Sequence, residues 1–221
     1  MCGRYTLLAD ELAIKEAFGI QQSLDLYEPS YNIAPGQKVL SIIHDGRQLH
    51  AGYMKWGLVP SWAQDPKIGY KMINARSETA HEKPSFKRLL SSKRCLIIAD
   101  SFYEWKKEVD KKQPMRIYPE NKKVFAFAGL WDKWQGDNNP LFTCTILTKQ
   151  ANQDMEELHH RMPIILPKDR EEEWIDPKSY SSEDWKHWLD DIDQDKLVHY
   201  PVSTHVNNAK NNDEKCILPI V

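Results

Sequence analysis

The sequence predicts an α+β fold: a single domain with a mostly antiparallel, partly barrel-like β-sheet flanked by short helices. Short apolar segments of strand length, separated by turn-forming residues, dominate the 221-residue chain. A few other segments have the spacing of short amphipathic helices. No repeat, low-complexity block or linker rich in Gly, Ser or Pro divides the chain, so we expect one domain over residues 1–221.

The composition is that of a globular protein, with 41% hydrophobic and 28% charged residues. The formal net charge of −2 gives no global indication of a polyanionic partner, so a nucleic-acid surface would have to be local. No apolar run approaches the roughly 18 residues of a membrane helix. The N-terminus lacks a signal-peptide pattern, so we expect Cys2 to remain in place and the protein to be cytoplasmic.

The cysteines at positions 2, 95, 144 and 216 show no CxxC spacing. This argues against a zinc knuckle or a disulfide framework and favours a reducing compartment. Cys95 and Cys144 lie in apolar, strand-like segments, so we expect them to be buried packing residues.

The first predicted element is a helix over Asp10–Phe18. Apolar residues at Leu12, Ile14 and Ala17 recur with helical spacing, and Gly19 provides a stop. We expect this helix to hold the chain start against the body of the protein.

A turn-rich segment, Tyr31–Gly36, precedes a predicted hairpin. The dipeptide Asp45-Gly46 joins the strands Val39–Ile43 and Leu49–Lys55, because this pair favours tight hairpin turns. The segment Trp56–Trp62 then breaks the strand pattern with a glycine and a proline between tryptophans, which predicts a rigid, aromatic-walled loop.

The segment Met72–Glu78 predicts a strand end that runs into a helix or turn. Alternation along a strand would place Asn74 and Arg76 on one side. A basic helical turn is predicted at Phe86–Leu90.

The buried strand Arg94–Ala99 is predicted to continue through Ser101–Trp105. Further strands are predicted at Met115–Tyr118, Val124–Leu130, Phe142–Leu147, Ile164–Leu166 and Cys216–Leu218. Helices are predicted at Ala151–His159, Glu171–Ile175 and Asp184–Leu189, the last two with tryptophan anchors.

The start of the chain could carry two nucleophilic groups on one residue. Cys2 is small enough for an aminopeptidase to remove Met1, which would leave a free α-amine and a thiol on one residue. Their ordinary pKa values are about 8 and about 8.5, so both groups are partly reactive near neutral pH. The amine can capture an aldehyde as a Schiff base, and the thiol can then close a thiazolidine ring. The alternative is an unremarkable, disordered terminus.

Two candidates for proton transfer lie further along. Glu104 is surrounded by Phe102, Tyr103 and Trp105, and desolvation there would raise its pKa towards a useful range. Strand alternation would instead point Glu104 outward, and the local sequence leaves this open. His159 lies at a predicted helix end. A surface pair with His160 or a metal ligand is the alternative, but no further ligand has suitable spacing.

Three residues have side chains suited to nucleic acid. The guanidinium of Arg76 could bind phosphate, and the amide of Asn74 could orient a sugar or a backbone group. A structural salt bridge between Arg76 and Glu78 is the alternative. Trp62 could stack on unpaired bases, and its loop position makes it a better candidate than Trp56.

Taken together, seven segments resemble the SRAP (SOS response-associated peptidase) family, which includes YedK-like and HMCES-like abasic site processing proteins. They follow the family's order and cover nearly the whole chain: Met1–Arg4, Tyr31–Pro35, Trp56–Pro60, Ile73–Glu78, Phe102–Trp105, His159–Pro163 and Val202-Ser203. The family's His-x-Arg motif often has aspartate at the middle position, where this chain has His160.

The resemblance implies binding of single-stranded DNA and a covalent thiazolidine crosslink between Cys2 and the aldehyde of an abasic site. Such an adduct would shield the lesion during the DNA damage response. No cofactor or metal is implied, and we expect a cytoplasmic, nucleoid-associated monomer.

The resemblance also assigns roles to individual residues. Glu104 would assist proton transfer, His159 would promote sugar-ring opening and crosslink formation or reversal, and Asn74 would position the terminus and the lesion. The implied DNA-binding residues are Arg4, Asn32, Trp62, Arg76 and Arg88. We expect their cations, with Lys87, to form one confined groove whose DNA affinity falls steeply with salt.

Two other functions remain open from the sequence. In the first, Cys2 is the nucleophile of an autoproteolytic peptidase that removes Met1, with Glu104 and His159 as acid–base partners. In the second, the protein is a non-covalent single-strand-binding module in which Cys2 is incidental.

Overall fold

The computed structural model describes residues 2–136, 139–177 and 180–220 and has the predicted α+β architecture. The strands are β1 (Tyr5–Leu7), β2 (Ser30–Ile33), β3 (Lys38–His44), β4 (Leu49–Trp56), β5 (Asn74–Arg76), β6 (Arg94–Ala99), β7 (Ser101–Lys107), β8 (Lys112–Pro119), β9 (Phe125–Gln135), β10 (Pro140–Gln150), β11 (Arg161–Pro163) and β12 (Leu197–Pro201). The α-helices are α1 (Glu11–Phe18), α2 (Ser77–Ala80), α3 (Lys87–Ser92), α4 (Gln153–Glu156), α5 (Lys168–Ile175) and α6 (Ser182–Asp190). In this part of the chain, no helix has both the length and the apolar character needed to cross a membrane.

The larger sheet closes on itself. Its strands pair in the order β11-β10-β4-β3-β6-β9, and β9 also pairs with β10. The pairings of β10, β4, β3, β6 and β9 therefore form a ring, which confirms the predicted barrel-like sheet. Most neighbours are antiparallel, but β10 runs parallel to β4 and to β5. This pairing carries Asn74, at the start of β5, to the side of the barrel.

The smaller sheet is antiparallel and has the order β12-β8-β7-β1-β2. Its strand β1 contains the first residues of the chain that pair in a sheet, with Tyr5 opposite Phe102 and Thr6 opposite Ser101. The strands β1, β2 and β12 were not predicted, because their segments are short and lack a clear apolar alternation. They matter because β1 fixes the chain start against β7.

Two local predictions are confirmed in detail. The Asp10 side chain caps α1 by accepting a hydrogen bond from Ala13 N at 2.8 Å, and Gly19 ends the helix in the left-handed region at φ 66°. The hairpin turn between β3 and β4 contains Asp45 and Gly46, and Gly46 has a φ of 96°. Both predictions depend on residues close together in the chain.

The predicted continuous strand from Arg94 to Trp105 is wrong. The chain leaves the barrel at Asp100, so that β6 pairs in the larger sheet and β7 in the smaller one. The Asp100 carboxylate accepts hydrogen bonds from the backbone N–H groups of Leu8 and Ala9, the latter at 3.2 Å. These bonds satisfy the N–H groups after β1 and fix the crossing point between the sheets.

Three further boundaries differ from the prediction. The helix expected over residues 151–159 is shorter, because only α4 is helical in this segment. The strand expected at residues 164–166 does not form; the strand in this region is β11, which lies directly before these residues and pairs with β10. Ile164 bridges β10 and β9, because its N–H donates to Leu147 O in β10 and its carbonyl oxygen accepts from Ala128 N in β9. Glu214–Cys216 is a 3₁₀ helix instead of part of a closing strand, and Asp213 caps it.

The core lies inside the barrel and between the two sheets. Phe127 contacts Tyr5, Phe102 and Phe125 in edge-to-face geometry, which links the chain start to the barrel. The tryptophan anchors of α5 and α6 are buried as predicted, and so are Cys95 and Cys144.

Candidate active site

Cys2 lies within the protein body beside β7. Cys2 is 0% exposed, and Asn74 Nδ2 donates a hydrogen bond to the Cys2 carbonyl oxygen at 2.8 Å. Two residues along the chain from Cys2, the carbonyl oxygen of Arg4 accepts a hydrogen bond from Tyr103 N in β7 at 2.9 Å. The chain start is therefore held from both sheets, by β5 on one side and by β7 on the other.

Glu104 faces the interior and is 3% exposed, which decides the question that strand alternation left open. The paired residues of β1 and β7 end at Tyr5 and Phe102, and one further backbone hydrogen bond joins Tyr103 N to Arg4 O, whereas the pairing of β7 with β8 continues to Lys107. A cavity of about 410 Å³ lies beside this part of β7, lined by Glu104, Trp105, Lys112, His159 and Asn207.

His159 reaches the same cavity from the turn between α4 and β11. The backbone of Arg161 holds His159 Nδ1, with the Arg161 nitrogen at 2.9 Å and its carbonyl oxygen at 3.1 Å. The tautomer with the proton on Nδ1 donates to that carbonyl and leaves Nε2 as the basic nitrogen. His160 is exposed and stacks on His159, with ring centroids 4.3 Å apart. The first histidine of the pair is thus the one at the cavity.

The electrostatics of the site favour a protonated thiol and a neutral imidazole at pH 7. Burial raises the pKa of the Cys2 thiol well above its ordinary value, and the Glu104 carboxylate raises it further. Burial lowers the pKa of His159, although the negative charge of Glu104 opposes this shift. The Cys2 thiol consequently needs a base to take its proton before it can act as a nucleophile, and His159 is available in the basic form.

An ion pair ties the two halves of the site together. Arg161 Nη1 and Nη2 donate to the two carboxylate oxygens of Glu78 at 2.6 and 2.9 Å, and Nη2 also donates to Thr148 O at 2.7 Å. Glu78 belongs to α2, directly after the strand that carries Asn74. The pair therefore joins the Asn74 segment to the His159 turn.

Replacing Glu78 by glutamine should destabilise the fold in a pH-dependent way. Burial raises the Glu78 pKa, but the hydrogen bonds and positive charge of Arg161, together with backbone hydrogen bonds, outweigh it, so the pKa lies below its ordinary value. The ionised carboxylate stabilises the fold above about pH 4.3, and this contribution is lost as the pH falls through the lowered folded-state pKa. We expect a loss of about 1 kcal/mol at pH 7, since the Glu78 side chain is 42% exposed.

Urea unfolding at pH 7 and at pH 3 measures this effect. The difference between the wild type and Glu78→Gln should shrink at the lower pH. Glu172→Gln is the matched control, because Glu172 is exposed and the described part of the chain gives it no ion pair. A Glu78→Gln difference that stays constant across the pH range would contradict a charge-dependent role.

Two of the residues implied to contact DNA serve a structural purpose in this fold. Arg4 Nη1 donates to Asn32 Oδ1 at 2.8 Å and to Val206 O at 2.7 Å, and its guanidinium lies 5.8 Å from the Trp105 ring centroid. Asn32 is 1% exposed, and its Nδ2 donates to the carbonyl oxygen of Asn211 at 2.7 Å. Asn32 is therefore buried and holds Arg4 in place, which differs from its expected position on an exposed, DNA-facing surface.

The family is decided by comparison with known proteins. A family model described as SOS response associated peptidase (SRAP) matches residues 1–209. The chain belongs to the SRAP family. Among similar proteins, it is 51% identical over 221 residues to the abasic site processing protein YoqW of Bacillus subtilis, covering 98% of this chain and 99% of the relative. It is 34% identical over 229 residues to the abasic site processing protein HMCES of Xenopus tropicalis, covering 89% and 68% of the two chains.

Solved structures of similar shape support the SRAP fold. A protein from Bacteroides thetaiotaomicron superposes with a TM-score of 0.89 at 24% identity, covering all of both chains. A phage-related protein from Bordetella bronchiseptica superposes with a TM-score of 0.73 at 28% identity, covering 91% of this chain and 94% of that one.

Three SRAP residues predicted to contact DNA are exposed on the surface. Trp62 is 60% exposed, whereas Trp56 is 1% exposed and donates from Nε1 to Ile73 O at 2.8 Å, so of the two only Trp62 presents its ring to the surface. Arg76 is exposed. Arg88 is also exposed, but its Nη2 donates to Ser61 Oγ at 3.0 Å and lies 3.5 Å from the buried carboxylate of Asp132.

A group of possible metal ligands lies beneath Arg4, in the C-terminal segment of the SRAP chain. Ligand atoms of His205, Asp213 and Cys216 lie within 4.8 Å of one another. However, Asn211 Nδ2 donates to His205 O at 2.8 Å and lies 3.1 Å from His205 Nδ1, so the imidazole proton belongs on Nε2, which faces Asp213 Oδ2 at 2.9 Å. A metal on Nε2 would force this proton to Nδ1, against the amide donor. These three side chains are therefore better explained as hydrogen-bonding groups that stabilise the loop around Val206, whose carbonyl oxygen binds Arg4.

Sequence reasoning missed three residues near the SRAP site. Lys112 and Asn207 line the cavity, and Arg161 positions His159. Arg161 could have been suspected, because an arginine beside two histidines in an apolar segment needs a carboxylate partner. Nothing in the local sequence distinguishes Lys112 or Asn207 from the other polar residues around them.

Proposed function

We propose that this protein processes abasic sites in single-stranded DNA by forming a covalent DNA–protein crosslink through Cys2. The observation that carries the proposal is the position of Cys2: Asn74 holds its carbonyl oxygen, and its thiol feels the charge of Glu104, which lines a cavity together with His159. Relatives at 49–51% identity over nearly the whole chain are abasic site processing proteins, which supports the substrate class.

The proposed reaction begins once Met1 has been removed. The α-amine of Cys2 attacks C1′ of the ring-opened sugar, and water leaves to give a Schiff base. The thiol sulfur then bonds to the same carbon, and the thiol proton ends on the former imine nitrogen. The product is a thiazolidine, and the sequence loses one water overall. The raised thiol pKa supports this order, because the amine is the better nucleophile until a base takes the thiol proton.

Three side chains have roles in these steps. His159 is basic at neutral pH and accepts the proton released as the sugar opens or as the thiol attacks. Glu104 stabilises positive charge on the amine and the imidazole and exchanges protons with them. Asn74 fixes the Cys2 carbonyl by a 2.8 Å hydrogen bond and so orients the amine and the thiol of the same residue.

The surface residues Trp62 and Arg76 are proposed to contact the DNA strand, with Arg88 at a greater cost because it must leave or share its Asp132 contact. Stacking on Trp62 would contribute about 1–3 kcal/mol per base. Arg4 acts from beneath the site by supporting Trp105. We propose that the protein acts as a monomer in the cytoplasm without a cofactor.

A denaturing gel tests the proposal. Protein without Met1 is mixed with a single-stranded oligonucleotide that contains one abasic site, and with an intact oligonucleotide as the control. A slower-migrating adduct should form only with the abasic strand. Equal affinity for both strands and no adduct would overturn the proposal in favour of a non-covalent binding module.

The peptidase alternative is separated by mass spectrometry. Protein with Cys2 intact and Glu104→Ala should lose Met1 as the wild type does, because an ordinary aminopeptidase suffices for a single residue before cysteine. Retained Met1 in this variant would favour self-processing.

Replacing Asn74 by aspartate should slow adduct formation without abolishing DNA binding. The variant sets a carboxylate oxygen against the Cys2 carbonyl oxygen, where the wild type has a hydrogen bond. Losing such a bond costs about 1–3 kcal/mol, which corresponds to roughly 5- to 150-fold in rate if the chain start is misplaced. Single-turnover gels measure the rate, and fluorescence anisotropy measures binding. An unchanged rate would show that Asn74 does not position the terminus.

A further inference from the structure

The hairpin between β7 and β8 carries two lysines directly opposite one another. The strand register places Lys107 opposite Lys112, so both side chains project from the same face of the hairpin. Like charges at directly opposed positions destabilise an antiparallel pair. A bound anion between the two ammonium groups would remove this repulsion.

The neighbouring lysines already have partners. Lys106 Nζ lies 3.5 Å from a carboxylate oxygen of Glu157, and Lys111 Nζ lies 3.5 Å from one of Glu108. Within the described parts of the chain, neither Lys107 nor Lys112 forms an ion pair. These two ammonium groups are therefore the ones on the hairpin that remain available to an external anion.

The pair lies next to the proposed chemistry. Lys112 lines the same cavity as Glu104 and His159. Because β1 begins opposite Phe102, the part of the hairpin that carries Lys107 and Lys112 lies beyond the paired residues of β1 and β7. A DNA strand whose sugar enters this cavity carries phosphates on both sides of that sugar, within reach of a side chain at the cavity wall.

We propose that Lys107 and Lys112 form a phosphate clamp for the DNA backbone that flanks the nucleotide in the cavity. The clamp rests on the proposed function and adds to it a binding surface beyond that of Arg76, since Arg4 is engaged with Asn32 and Arg88 with Asp132. One phosphate between the two ammonium groups replaces their repulsion with two attractive contacts. The clamp reads the backbone and not the base, so it is independent of sequence.

The test uses full-length protein and a single-stranded oligonucleotide with a tetrahydrofuran abasic analogue, which has no aldehyde and cannot be crosslinked. Affinity is measured against salt concentration for the wild type, Lys107→Gln, Lys112→Gln and the double variant. Each single substitution should weaken binding, and the double variant should reduce the slope of log K against log salt by about 0.7, the value for one phosphate contact on a single strand. Lys111→Gln is the matched control, because Lys111 lies on the same hairpin but is paired with Glu108.

Thermal unfolding provides a second readout, in which the lysine variants should be at least as stable as the wild type although they bind DNA more weakly. Removing either charge of a repulsive pair should leave the midpoint unchanged or raise it, so weaker DNA binding could not be attributed to a damaged fold. A salt slope that is unchanged in the double variant, or reduced equally by Lys111→Gln, would overturn the clamp. The gel with an aldehyde-containing strand is run in parallel: adduct formation with an unchanged salt slope rejects the clamp alone, whereas no wild-type adduct rejects the proposed crosslink.

Discussion

Cys2→Ser protein is expected to bind abasic single-stranded DNA with nearly wild-type affinity but to yield no adduct that survives heat and denaturant. The serine variant keeps the α-amine, so it can still form a Schiff base with the aldehyde. It lacks the sulfur that closes the thiazolidine, and a Schiff base hydrolyses when the protein unfolds. The expected loss of durable adduct is essentially complete, which makes this the largest effect among our predictions.

The experiment has two arms. Without reductant, the variant should give no stable band on a denaturing gel. With borohydride present, the variant should give a trapped band, because reduction of the imine fixes the amine–carbon bond. Cys95→Ala is the control for loss of a thiol elsewhere, since Cys95 is fully buried in the barrel. A heat-stable adduct from Cys2→Ser at wild-type yield and lifetime would refute ring closure by the thiol.

Glu104→Gln is expected to slow adduct formation by roughly 100-fold, the scale of general acid–base catalysis, with little change in DNA affinity. Glutamine preserves the shape of the side chain but cannot accept a proton. The change also removes a negative charge that raises the pKa values of both the Cys2 thiol and His159. Both pKa values should therefore fall in the variant.

The pH dependence gives a separate check on Glu104. In the wild type, the rate should fall first below about pH 8, as the α-amine is protonated and loses its lone pair. Burial keeps the pKa of His159 below its ordinary value of 6.5, so protonation of His159 should add a second acid limb below that pH. In Glu104→Gln this acid limb should move to still lower pH. Glu157→Gln is the control, because its carboxylate is 81% exposed and pairs with Lys106 on the surface. Unchanged single-turnover rates across the pH range would exclude Glu104 from proton transfer.

The buried thiol has a consequence for selectivity. A cysteine whose pKa is raised by burial is a poor nucleophile towards general electrophiles, because the thiolate is the reactive form. In the proposed mechanism the sulfur reacts only after the amine has captured the aldehyde at the same residue. The protein would thus combine a reactive terminus with low reactivity towards compounds that lack an aldehyde.

Features set by neighbours in the chain could be predicted from the sequence. Asp10 and Gly19 bound α1, and the Asp45-Gly46 turn joins β3 to β4, because capping and turn formation involve residues only a few positions apart. The order of the motifs also indicated the family correctly, and so did the alternation of short strands with turns for the fold class.

Features set by distant pairing could not be predicted in the same way. The interior position of Glu104 depends on which sheet β7 joins after the chain crosses at Asp100. The structural role of Asn32 depends on carbonyl groups more than 170 positions later in the chain. Lys112 lines the same cavity as His159, which belongs to a distant segment of the chain.

By itself the sequence determined which reactive groups this protein possesses: a cysteine at position 2, an acid among aromatic residues and a histidine at a predicted helix end. Only the tertiary structure decided which of them meet, since Asn74 and Cys2 are 72 positions apart and touch through a strand that pairs in parallel with β10. The physical reason is that covalent neighbours fix local conformation, whereas burial, hydrogen-bond partners and pKa shifts arise from segments that only folding brings together.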